Sequence, residues 1–92
     1  MSRPGRCDSV RPMPRYLLYH RHAGRECGVV FAAFAGHDTP LRHKAAIATC
    51  AFGGHEIWWT VDAPDAERAL ALLPFYVAQR TTASQISDVL IP

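Results

Sequence analysis

The chain has 92 residues, a formal net charge of +2, and a composition that is 49% hydrophobic and 20% charged. That is the make-up of a folded chain, with length for one domain and one modest core. A doubly wound nucleotide-binding domain, a β/α barrel and a kinase are excluded, because each needs a longer chain. Five histidines and three cysteines are the chemically pointed feature of so short a sequence.

The positive charge is unevenly placed. Arg3, Arg6, Arg11 and Arg15 face only Asp8 among the first fifteen residues, and from Tyr16 onward six cations meet seven acids. A near-neutral body does not offer the clustered basic face that nucleic-acid binding needs, so no nucleic-acid partner is expected. Residues 1–13 mix Pro, Gly, Ser and Arg without apolar periodicity and read as a flexible basic leader to a domain over 14–92. No apolar run is long enough to span a bilayer, and the N-terminus lacks the apolar stretch of a secretory signal. No membrane partner is expected. An odd number of cysteines argues against a disulfide framework and fits a reducing cytoplasm.

In chain order, Arg15 to His22 is rich in Tyr and Leu and predicts a first strand. Ala23-Gly24-Arg25 breaks it, and Glu26 to Ala35 carries apolar residues at helical spacing, ending at Gly36. His37 to Lys44 reads as a loop, with one capped turn at Thr39-Pro40. The runs Ala45 to Phe52 and His55 to Asp62 flank Gly53-Gly54 and predict a hairpin with a two-residue primed turn. Pro64 and the acids Asp65 and Glu67 open a second helix, which Pro74 must kink or restart. Thr81 to Ser84 reads as a connector and Gln85 to Ile91 as the last strand. The order β-α-β-β-α-β predicts an α+β, ferredoxin-like domain: a four-stranded antiparallel sheet in the order four-one-three-two, with both helices on one face.

The face left open should be polar in a monomer. Instead, Trp58 and Trp59 are adjacent in a strand and point to opposite faces, as do Leu17 and Tyr19 against Tyr16 and Leu18. A second copy covering the open face would bury these groups, so a homodimer is expected.

His20 and His22 alternate on one strand, so both imidazoles share a face at chelating separation. Nickel, zinc and copper favour such nitrogens, and Cys27 follows five residues on. His20, His22 and Cys27 are the predicted metal ligands, and His20 and His22 are also the candidate catalytic bases. Tyr16, Tyr19 and Trp59 are the predicted lining of a ligand pocket. Strand three, taken as parallel to strand one, puts His55 at the opposite end of the sheet. A second cluster of His37, His43, Cys50 and His55 is expected there.

The segment Trp58-Trp59-Thr60-Val61-Asp62-Ala63-Pro64-Asp65-Ala66-Glu67, followed by Val77-Ala78 and Ile86 to Val89, resembles the dimeric α/β-barrel superfamily of ferredoxin-like proteins. Its strand end is similar to that of the small nickel-binding ferredoxin-like family, whose histidines near the end of the first strand correspond to His20 and His22. Ala69-Leu70 to Pro74-Phe75 and Ile91-Pro92 are similar to the YCII-related and muconolactone-isomerase-like proteins. The resemblance implies a paired barrel holding a divalent metal or a small ligand. It equally implies a cofactor-independent isomerase or monooxygenase, with His20 or His22 as general base and Trp59 in the pocket. A structural or regulatory dimer without a ligand is the third reading.

Overall fold

The computed structural model describes residues 13–92, so the expected leader lies outside the described residues apart from Met13. Four strands form one antiparallel sheet: β1 (Arg15–Arg21), β2 (Ile47–Ala48), β3 (Glu56–Asp62) and β4 (Thr81–Ile86), in the order β2-β3-β1-β4. Three short helices join them: α1 (Cys27–Ala33), entered through a 3-10 turn at Gly24–Glu26, α2 (Ala66–Leu70) and α3 (Phe75–Ala78). The molecule is therefore an α+β fold.

Strand alternation divides the side chains cleanly. On one face the cross-strand rows are Val61-Tyr16-Gln85, Trp59-Leu18-Ala83 and Ile57-His20-Thr81. Tyr16, Leu18, Ile57 and Val61 from this face join Val30, Ala69, Leu73 and Val77 in the buried core. On the other face, Tyr19 sits opposite Trp58 with ring centroids 5.4 Å apart, and the Tyr19 hydroxyl donates to Glu56 at 2.6 Å. Ile47 is the register partner of Trp58 and stays largely exposed.

Local chemistry explains the helices. Asp65 caps α2 by accepting from the Arg68 amide at 2.8 Å. Pro74 divides the expected second helix in two: it is the N-cap of α3, where its missing N–H costs nothing. Glu26 binds the 3-10 turn to α3, accepting from the Tyr76 hydroxyl and from the Ala23 amide, with Arg80 at 3.4 Å. The Arg80 guanidinium also lies 4.2 Å over the Tyr76 ring.

Three expectations need correction. The last strand is Thr81–Ile86, not Gln85 to Ile91: the β-branched pair Thr81-Thr82 enters the ladder with β1, and residues 87–92 carry no regular structure. The β2–β3 link is longer than Gly53-Gly54. It contains a 3-10 turn at Cys50–Phe52, closed by Thr49 N–H to Glu56 O at 2.9 Å and by Gly54 N–H to Thr49 O at 3.0 Å. Gly54 is required there, because a Cβ would collide with the Thr49 hydroxyl. Finally, β3 runs antiparallel to β1, not parallel. The helical crossover leaves β2 running with β1, and the hairpin then reverses the chain. The start of β3 therefore meets the end of β1.

Leu18 is fully buried at the centre of the sheet, whereas Phe75 is 77% exposed. Leu18→Ala should lower unfolding stability by about 3 kcal/mol in urea denaturation, and Phe75→Ala by less than about 0.5 kcal/mol.

Candidate metal centre

Where β1 ends, β3 begins, so His22 and His55 are neighbours. The His22 amide donates to the His55 carbonyl at 3.2 Å, one step beyond the last strand pair. His55 takes a left-handed backbone, φ 53°, to make this junction. Such a conformation costs a non-glycine residue on the order of 1–2 kcal/mol. Its ring rests against Gly24, where a Cβ would come within 3.0 Å of His55 Nε2. A side chain at position 24 would push the imidazole away.

Five side chains then meet in sequence. His20 is fully buried on the core face and packs against Trp59, with ring centroids 6.2 Å apart. Its Nδ1 lies 3.1 Å from Thr81 Oγ1 and its Nε2 lies 3.1 Å from His22 Nδ1. His22 Nε2 lies 3.3 Å from Cys27 Sγ, which is 3.2 Å from His55 Nδ1.

The donor directions follow from one fixed point. The Thr81 hydroxyl donates to the Val77 carbonyl at 2.7 Å, so its oxygen can only accept from His20. A neutral His20 carries its proton on Nδ1, leaving Nε2 to accept from His22 Nδ1–H. The free lone pair of His22 is then on Nε2, aimed at the Cys27 sulfur. His55 directs Nδ1 at that same sulfur. A terminal carbonyl thus sets the tautomers of two imidazoles in series.

Burial holds His20 below the ordinary histidine pKa, and His22 beside it adds to this effect. Burial likewise lowers His22, with a further contribution from His55. Both rings are therefore stabilised in the neutral form, the form that coordinates metals. The Glu26 carboxyl near them is held low by its bond from Tyr76 and by the Ala23 amide.

His22, Cys50 and His55 could hold a metal ion: one ligand atom from each lies within 4.8 Å of the others. Cys27 and Cys50 are both free thiols and half-buried. The expected division into two clusters is corrected accordingly. Antiparallel β3 brings Cys50 and His55 to His22, and His55 to Cys27, while His37 and His43 lie outside the group. His20 lies outside this group, its two nitrogens already engaged by Thr81 and His22. Both ring nitrogens of His20 are engaged within the fold, whereas His22 keeps its Nε2 lone pair, directed at Cys27. A connector reading of 81–84 hides Thr81, and the β-branched Thr81-Thr82 pair is the sequence signal for the strand that presents it.

The expected pocket is also redrawn. Trp59 lines a cavity, but that cavity lies between α1, the 41–46 loop and the β2–β3 edge. Tyr16 is buried in the core and Tyr19 points to the opposite face. Among the described residues, no helix is long and apolar enough to cross a membrane. Comparison of the chain with protein-family models, curated proteins and solved structures produced no match.

The lowered histidines make stability depend on pH. In the unfolded chain His20 and His22 take up protons near 6.5, whereas the native state resists this. The unfolded state therefore binds more protons as pH falls, and their contribution is complete above about 6.5 and lost below it. Thermal melting of the metal-free protein should show a falling Tm between pH 6.5 and 5. A flat profile in that window would contradict the buried neutral pair.

Proposed function

We propose that this protein binds one divalent transition metal ion through His22 Nε2, Cys50 Sγ and His55 Nδ1, with Cys27 Sγ as the fourth ligand. The observation that carries this reading is the convergence of His22, Cys50 and His55 within 4.8 Å. Cys27 supports it. Zinc bonds of about 2.3 Å to sulfur and about 2.0 Å to nitrogen, at a tetrahedral angle, separate the two ligand atoms by about 3.5 Å. The 3.3 Å and 3.2 Å contacts of Cys27 Sγ with the two imidazoles are close to that edge length. Two thiolates and two imidazoles in this arrangement favour zinc, and the soft sulfurs also suit copper or nickel. His20 would act from behind, accepting from His22 Nδ1–H and raising the basicity of Nε2, as outer partners of metal-bound histidines do.

The test is a zinc titration of chelator-treated, reduced protein by calorimetry, with elemental analysis of the loaded form. One ion per chain is expected. His22→Ala and His55→Ala should each weaken binding by at least about a hundredfold, more than the 10- to 100-fold typical of an outer partner. Cobalt should give the intense near-ultraviolet absorption of thiolate coordination, lost stepwise in Cys27→Ser and Cys50→Ser. Substoichiometric binding, or binding indifferent to these variants in folded protein, would remove the reading.

The strand order β4-β1-β3-β2, with the helices on one face, supports a ferredoxin-like reading of the fold. It also favours a homodimer closed over the open face. That face carries half-buried Leu17, Tyr19 and Trp58 and exposed Ile47, and beyond the edge strand β4 lie the exposed Val89, Leu90 and Ile91. Sedimentation at micromolar concentration should give twice the mass of the chain, and Trp58→Glu should give the monomer. A wild-type monomer at that concentration would overturn the pairing.

A further inference from the structure

A cavity of about 400 Å³ opens beside Trp59, within the size range of small-molecule pockets. Its wall includes Phe34, Leu41 and Trp59, with the Phe34 and Trp59 rings 6.0 Å apart and tilted. Its rim is Arg42, His43 and Lys44. No carboxylate lines it. Arg42 and Lys44 make no ion pair among the described residues, although the body of the chain is otherwise close to neutral. His43 holds a left-handed backbone, φ 64°, within this rim.

We infer that this cavity binds a small carboxylate with a flat apolar body. The aromatic wall would take the body in offset or edge-on contact, and the basic rim would meet the carboxylate at the mouth. The two cations Arg42 and Lys44, with no carboxylate in the cavity lining, make a local positive field that selects an anion over its neutral analogue. None of His22, Cys27, Cys50 or His55 lines the cavity, so this inference is independent of metal binding. The two sites adjoin through Trp59, which lines the cavity and packs on His20, and through Ile57, which lines the cavity and is the cross-strand partner of His20.

The test uses nitrogen-15 labelled, chelator-treated protein titrated with 1-naphthoate, and in parallel with the neutral 1-naphthamide. Naphthoate should shift the Trp59 indole resonance saturably and leave that of Trp58, on the opposite face, in place. Naphthamide should bind about tenfold more weakly, the worth of one charge-assisted hydrogen bond. The double variant Arg42→Ser, Lys44→Ser alters exposed side chains only. It should weaken naphthoate about tenfold and leave naphthamide unchanged. An unmoved Trp59 resonance at millimolar naphthoate, equal affinity for the amide, or a double variant that binds naphthoate as the wild type does would each overturn the inference.

Discussion

A buried imidazole has two nitrogens to satisfy, and His20 satisfies both within the fold. One nitrogen meets Thr81 across the β1–β4 ladder, and the other meets His22, just beyond the end of β1. Leaving either unpaired would cost about 1–3 kcal/mol, a sizeable part of the stability of a small domain. The antiparallel register of β4 on β1 is thus tied to a polar contact as well as to apolar packing. The same contact decides which nitrogen of His22 faces the cysteines. The chemistry at the end of the sheet depends on a hydroxyl at the start of β4 and a carbonyl near the end of α3.

Much of this end of the molecule was legible in the sequence. His20-Arg21-His22 in a strand puts two imidazoles on one face by period alone, and Cys27 comes near because only a short break separates β1 from α1. The location of Cys50 and His55 was recoverable in principle. A crossover preserves strand direction and a hairpin reverses it, so β3 had to oppose β1, and a parallel assignment moved His55 to the wrong end. What the residues did not disclose was the register. The position of His55 depends on the left-handed backbone at His55, the Thr49–Glu56 closure and the space beside Gly24. These are tertiary coincidences with no periodic signature. The Gly-Gly pair advertised a tight turn, but the Thr49 hydroxyl used Gly54 for close approach instead.

Among the described residues, both non-glycine residues with positive φ are histidines, His43 and His55. Each lies in the connection leading into or out of β2, and each borders one of the two places where the molecule could hold a ligand. Strain at such positions persists when surrounding contacts over-determine the backbone. For His55 those contacts are visible: its carbonyl accepts from His22, its Nδ1 meets Cys27 and its ring fills the space left by Gly24.

His22, Cys27, Cys50 and His55 all lie at or just beyond the ends of regular elements. This is the end of the sheet where ladder hydrogen bonds run out. Among the described residues the core holds nine buried hydrophobic side chains, a small store of apolar burial for a domain of this length. An ion bound at this junction would link β1, the start of α1, the turn after β2 and the start of β3 at a single point. Because the unfolded chain offers no preformed site, most of its binding free energy would appear as folding stability. Under the proposed binding, metal affinity and fold stability would be one quantity, and the burial that keeps His20 and His22 neutral would also ready the site for an ion.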